Sequence, residues 1–261
     1  MDRHRVVRGL LPVGSGADSG TQPPSPVTSA PANRQQLFAA VSELTRSGWH
    51  ELGDDYGGTG GPRVLLEHLL GFAPGAADRP DALGWELKYY TERTHLTTLF
   101  HKSPDNSPEI IRYLVRKHGS RDSKGRLSFR HTVRPDLRTE AQLFKPHYDS
   151  GLLTVRPRAG NGPVPRWSEQ ALLGAAGAKL RRLLMVRGER QGEQVRYIRA
   201  DAFTEFSLTD FIAEVLRGVI VIDFDAREQK PGSHGMRDHG TKFRIPPEQV
   251  CRLYMDKQRI R

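Results

Sequence analysis

The chain has 261 residues, a 36 % hydrophobic fraction and a net charge of +10, from 40 Lys and Arg against 30 Asp and Glu. That length suits one large domain or two lobes with a real core, and no apolar run approaches the roughly 18 residues that read as a membrane-spanning helix. The positive excess favours an anionic partner, nucleic acid first, although a generally basic surface would give the same sum.

Cys251 is the single cysteine, which excludes an internal disulfide and a cysteine-based zinc site. The segment Met1-Asp2-Arg3-His4-Arg5 leads into a weak apolar patch and then Gly, Ser and Pro, a poor secretory signal. A cytoplasmic location, away from membranes, is the expectation.

Residues 1–33 lack hydrophobic periodicity and carry Gln22-Pro23-Pro24-Ser25-Pro26, so they read as a disordered extension. Leu37, Phe38, Val41 and Leu44 then follow helical spacing within residues 35–49. After the Gly57–Gly61 loop, Pro62 suits the first turn of a second helix. Val64, Leu65, Leu66, Leu69 and Leu70 form its apolar face, and Gly71 suits its end. Glu67 sits within that apolar helix, where an acidic group needs a partner because burying an unpaired charge is costly.

The stretch Pro80-Asp81-Ala82-Leu83-Gly84-Trp85-Glu86-Leu87-Lys88 reads as a turn that delivers an aspartate to a short strand. Side chains alternate across a strand, so Glu86 and Lys88 share one face and Trp85 and Leu87 the other. Asp81 and Glu86 can hold a divalent cation such as Mg²⁺, and Lys88 can orient or help deprotonate an attacking water. Glu67 is a plausible fourth member. The same residues also fit a solvated strand face with paired charges.

The spacing D-x4-E-x-K occurs a second time, at Asp223, Glu228 and Lys230. There the apolar run stops at Phe224, so the first copy is the better candidate for a catalytic centre.

Further along, strands are expected over residues 97–100, 127–133, 142–148, 152–155, 183–187, 195–198, 219–224 and 241–245. Helices are expected over 108–117, 168–180, 209–216 and 246–255, with a polar, glycine-rich loop over 225–239. The mixture is α/β or α+β, read as two lobes, 34–135 with the candidate catalytic residues and 136–261. Arg reads guanine bidentately, and Asp or Glu accepts from cytosine N4. Asp225, Arg227, Arg237, His239 and Lys242 are therefore candidate DNA contacts, and His101, just after the strand expected over 97–100, is a further one. A charged surface loop and a turn histidine are the plain alternatives.

Three blocks together resemble the MvaI/BcnI family of type II restriction endonucleases, which is related to the mismatch-repair nickase MutH. They are Gly60-Gly61-Pro62-Arg63-Val64-Leu65-Leu66-Glu67, Asp81 to Lys88, and Arg237-Asp238-His239-Gly240-Thr241-Lys242-Phe243-Arg244. The resemblance spans about residues 35–256. It implies a PD-(D/E)xK core with a second, DNA-recognition lobe, and Mg²⁺ held by Asp81 and Glu86. Lys88 would serve the water and Glu67 would assist. It further implies a monomer that cuts double-stranded DNA at a short, near-palindromic CC-x-GG site by sequential nicking, with a cognate DNA methyltransferase in the same host. A MutH-like nickase and an inactive sequence-specific DNA-binding protein are the alternatives.

Overall fold

The computed structural model describes residues 30–72, 82–135 and 144–260. The disordered extension expected at the N-terminus falls almost wholly outside them, as does Asp81.

The first helix starts close to where its apolar spacing places it. The Asn33 side chain accepts the Gln36 N–H at 3.0 Å and caps helix α1 (Arg34–Leu44). The helix ends earlier than its apolar spacing suggests, because Ser47 and Gly48 (φ +87°) turn the chain into strand β1 (Trp49–Glu51). Helix α2 (Gly61–Leu69) has Pro62 in its first turn. A Cβ on Gly61 would lie 1.5 Å from the Tyr56 carbonyl oxygen, so only glycine fits there. The helix closes as expected at Gly71 (φ +78°). The Gly71 N–H bonds the His68 carbonyl at 2.8 Å, and the Phe72 N–H bonds that of Glu67 at 2.9 Å.

The first sheet runs β1–β10–β9–β2, with β2 (Glu86–Tyr90) parallel to β9 (Arg182–Gln191) and the other pairs antiparallel. The thirteen-residue β10 (Gln194–Phe206) also pairs with β14 (Tyr254–Ile260). Both faces of β9 are buried. Leu184 and Val186 pack towards Leu37, Val41, Leu65 and Leu66 of α1 and α2. Leu183 and Met185 join a larger core with Leu172, Ala176 and Leu180 of helix α4 (Glu169–Leu180). Two buried faces explain why β9 reads as a continuous apolar run rather than an alternation.

The second sheet runs β3–β13–β11–β5–β4. Its strands are β3 (Thr97–His101), β4 (Ser120–Arg121), β5 (Leu127–Val133), β11 (Val221–Glu228) and β13 (Lys242–Ile245). Strand β12 (Met236–Asp238) pairs with β11. Leu99, Phe129, Phe224 and Phe243 turn one face of this sheet into the larger core, together with α3 (Glu109–His118) and α5 (Leu208–Arg217). A third sheet, β6–β7–β8, comprises Phe144–Asp149, Leu152–Pro157 and Arg166–Ser168. The result is an α+β fold. Both larger sheets draw strands from 34–135 and from 136–261, so the two segments interdigitate.

Two expectations need correction. Residues 225–239 are not one loop: β11 continues to Glu228, and residues 236–238 return alongside it as β12. The polar alternation Asp225, Arg227 belongs to a strand with one open face. The final α-helix is also absent. Pro247–Leu253 forms a 3-10 segment and Tyr254 starts β14. Val250 and Leu253, three residues apart, suit the tighter turn as well as an α-helix. The exposed edge strand shows no alternation to reveal it.

Candidate active site and DNA-reading face

A hairpin turn sets the first site. Ala82 and Trp85 exchange N–H···O bonds of 2.9 and 2.7 Å around Leu83 (φ +50°) and Gly84 (φ +79°). Positive φ at both central residues marks a type I′ turn, which glycine accommodates at its second position. Trp85 is buried against the edge of Phe38, with ring centroids 5.2 Å apart, and the Arg34 guanidinium stacks over Phe38. This packing anchors the start of β2.

From there the strand alternates as expected. Leu87 enters the core beneath α1 and α2, while Glu86 and Lys88 point to the other face. Glu86 is only 4 % exposed. Lys88 Nζ donates to Glu86 Oε1 at 2.5 Å, and Lys179 Nζ, from the last turn of α4, lies 3.1 Å from Oε2. That second contact lacks hydrogen-bond geometry, so Oε2 of a buried carboxylate keeps an unused acceptor site. A hard cation prefers such an oxygen, and the chemistry of the site fits Mg²⁺ in this respect. Among the described residues no three carboxylates, histidines or cysteines gather as a complete metal cage.

Glu67 is fully buried on α2, which packs against β2, and Arg63 Nη1 one turn earlier meets its Oε1 at 2.6 Å. Burial first, and then the charge of Glu86, push the Tyr254 phenol well above its ordinary range; its hydroxyl donates to the Leu180 carbonyl at 2.9 Å.

The open face of the second sheet forms the other region. Along β11, Ile222, Phe224 and Ala226 are buried while Asp223, Asp225 and Arg227 face outward. Thr132 Oγ1 donates to Asp223 Oδ1 at 2.5 Å and Arg244 Nη1 to Oδ2 at 2.8 Å. Asp225 meets Arg130 at 3.2 Å and Lys242 at 3.6 Å, and its carbonyl accepts the His239 N–H at 2.9 Å. Arg227 stands opposite Arg237, and both line a cavity of about 480 Å³ with Arg126 and Asp238.

His101 pairs with Lys242 across β3 and β13. Burial, then the charges of Lys242 and Lys88, hold its imidazole below the ordinary value of 6.5. The histidine thus stands in the fields of a lysine from each region. Gly240 (φ +81°) permits the close approach, since a Cβ there would lie 3.4 Å from His101 Nδ1. A cleft of about 1150 Å³ opens nearby, between Thr97, Thr98 and Arg244 of the second sheet and residues 188–192 of the first.

The repeated D-x4-E-x-K spacing is resolved by these faces. Asp223 and Glu228 lie on one continuous strand with odd separation, so their side chains leave opposite sides of the sheet. Glu228 is 5 % exposed and accepts the backbone N–H groups of Leu127 (2.9 Å) and Gly232 (3.2 Å). Lys230 is exposed beyond the strand end. The three cannot converge on one ion.

Sequence reasoning missed Lys179. A signal was present: it follows Leu172 and Ala176 at helical spacing, on the stripe that α4 buries. It also missed Thr132 and Arg244, the partners that hold Asp223.

A family model described as the MvaI/BcnI restriction endonuclease family matches residues 39–254. Among solved structures, the complex of restriction endonuclease MvaI with its cognate DNA substrate is 24 % identical, with a TM-score of 0.70 over 87 % of this chain and 98 % of that one. MvaI in the absence of DNA is also 24 % identical, with a TM-score of 0.55 over 86 % of this chain and 96 % of that one. No curated protein matches the chain.

Proposed function

Because the chain belongs to the MvaI/BcnI restriction endonuclease family, an enzyme family of nucleases, we propose that it is a Mg²⁺-dependent endonuclease specific for a short, near-palindromic CC-x-GG site in double-stranded DNA. It acts as a monomer, cutting one strand and then the other after rebinding, in a cytoplasm that also holds a cognate DNA methyltransferase. The observation that carries this reading is the buried Glu86 carboxylate set between Lys88 and Lys179 at the start of β2.

Phosphodiester hydrolysis is very slow unaided, so the site must lower the barrier by on the order of 20 kcal/mol. Glu86 and Asp81, which immediately precedes the 82–85 turn, are the residues that would hold Mg²⁺. Bound there, the ion would supply charge stabilisation for the phosphate and would make an attacking water more acidic. Lys88 orients that water and receives help from Glu86 in keeping its ammonium in place. Lys179 offsets negative charge on the carboxylate and on the incoming phosphate. Glu67 supports the site from α2 with its Arg63 partner.

Reading falls to the open face of the second sheet. Arg227 and Arg237 offer guanidinium forks to guanine, and Asp225 offers an acceptor to cytosine N4. His239 and Lys242 flank them, and His101 lies beside Lys242 where a central base pair would meet both regions. The likeness to MvaI, solved with its cognate DNA substrate, supports duplex DNA as the ligand.

Purified protein incubated with plasmid and Mg²⁺ tests the reading. Linear fragments with a common end sequence are expected. Nicked circles alone would indicate a strand nickase, and intact plasmid would remove the nuclease reading.

A further inference from the structure

The third sheet carries a charge pattern that the cutting and reading regions do not use. One face, with Phe144, Leu153, Val155 and Trp167, enters the larger core. The strand register puts Lys145, His147, Thr154, Arg156 and Arg166 on the other. Lys145 stands directly opposite Arg156, and Arg166 projects from the next strand, paired with Thr154. All three cations are exposed.

Like charges directly opposed across an antiparallel pair destabilise the sheet. Among the described residues no carboxylate forms an ion pair with any of the three. The acidic residue on this face, Asp149, lies four positions along β6 from Lys145, about 13 Å away at strand rise. Arg156 Nε instead donates to Thr154 Oγ1 at 3.3 Å, and the Thr154 hydroxyl donates to the His147 carbonyl at 3.2 Å. A buried threonine therefore positions a guanidinium without neutralising it.

The stripe is tied to the reading face. The Trp167 indole N–H donates to the Lys102 carbonyl at 2.9 Å, and the Asp105 N–H to the Arg166 carbonyl at 2.8 Å. Lys102 follows His101, and its own N–H bonds the Thr241 carbonyl at 2.9 Å. Two strand spacings of about 4.8 Å, with Arg166 offset two residues from Arg156, spread the cations over about 12 Å. One DNA strand presents a charge every ~3.4 Å of helix axis, so the three cations fall within reach of about four successive phosphates.

We propose that Lys145, Arg156 and Arg166 form a phosphate track that holds the backbone of duplex DNA beside the recognition site. The inference rests on the reading of the chain as a duplex-DNA nuclease. Phosphate contacts position the duplex without specifying sequence. The track therefore sets affinity and salt dependence and leaves the choice of site unaltered.

The test compares wild type with the triple variant Lys145→Gln, Arg156→Gln, Arg166→Gln. It also includes a charge-preserving triple, Lys145→Arg, Arg156→Lys, Arg166→Lys. Binding to a 30-bp duplex without divalent metal is followed from 50 to 200 mM salt, alongside Tm and plasmid cutting. In the glutamine triple the slope of log K against log salt should shrink by about 2.7, and affinity at 100 mM salt should fall at least about tenfold. Its Tm should hold or rise, because the opposed charges are gone. Its plasmid fragments should keep the wild-type ends, and the charge-preserving triple should retain the slope.

An unchanged slope in the glutamine triple, with wild type cutting plasmid normally, overturns the track alone. A Tm drop with weakened binding in both triples overturns it in favour of a structural role. Wild type that neither binds duplex nor cuts plasmid removes the nuclease reading, and the track with it.

Discussion

Residues 81–88 and 223–230 share the spacing D-x4-E-x-K and fold into different objects. In the first, the chain reverses at Leu83 and Gly84 before Glu86 starts its strand, and Glu86 and Lys88 then share a face with Lys179. In the second, Asp223 to Glu228 is one uninterrupted strand. Asp223 turns outward to Thr132 and Arg244, while Glu228 turns inward and satisfies backbone N–H groups. Five residues of strand separate two side chains onto opposite faces, and a turn within the same five residues removes that constraint. A spacing motif carries chemical meaning only through the backbone conformation beneath it.

Variants of the two regions can break or sharpen that contrast. Among variants that leave the Glu86 carboxylate in place, the largest effect is expected at Lys88. Lys88→Met should lower single-turnover cleavage by about 10²–10⁴-fold, the usual range for a positioned group that serves proton transfer, with duplex affinity nearly unchanged. Lys179→Met should cost less, because Lys88 still contacts Glu86. If Lys179→Met cut at the wild-type rate, the second lysine would be a structural partner of α4 only.

Arg227→Ala should leave cutting chemistry intact and weaken discrimination between cognate and altered sites by about 1–3 kcal/mol. Relative cleavage rates on duplexes differing at one base pair measure it. Equal discrimination in wild type and variant would remove Arg227 from the reading face.

The smallest effect is on stability against pH. Burial holds His50, His101, His118 and His131 below the ordinary 6.5; Lys242 and Lys88 add to the shift at His101, and His118 adds to it at His131. Their folded-state values lie below the unfolded one, so the unfolded chain takes up more protons as acid is added. Stability is full above about pH 6.5 and declines as pH falls through the lowered values. Tm at pH 7.5 should therefore exceed that at pH 5.5, and a flat profile across this window would contradict the burial of these rings.

Much of this arrangement was legible in the residues. Helix α2 announced itself through Pro62, its apolar stripe and Gly71, and β5 through the alternation over 127–133. The pair Glu86 and Lys88 was visible because β2 obeys period two. The regions that escaped are those where local signals conflict with tertiary roles. β14 is exposed over five successive positions and shows no period. The open face of β11 makes Asp225 and Arg227 look like a loop, although the neighbouring β5 and β12 complete their backbone bonds. Lys179 comes from a helix more than ninety residues after Glu86, and no local spacing could connect them.

Plasmid cleavage with Mg²⁺ by Glu86→Gln and by Glu228→Gln, each scaled to its folded fraction, tests the central contrast most directly. Glu86→Gln should abolish cutting while retaining duplex binding. Glu228→Gln should lower Tm, since a buried acceptor of two backbone N–H groups is weakened, yet cut at the wild-type rate per folded molecule. Retained cutting by Glu86→Gln, with cutting lost in folded Glu228→Gln, would place the chemistry on β11 and contradict the account.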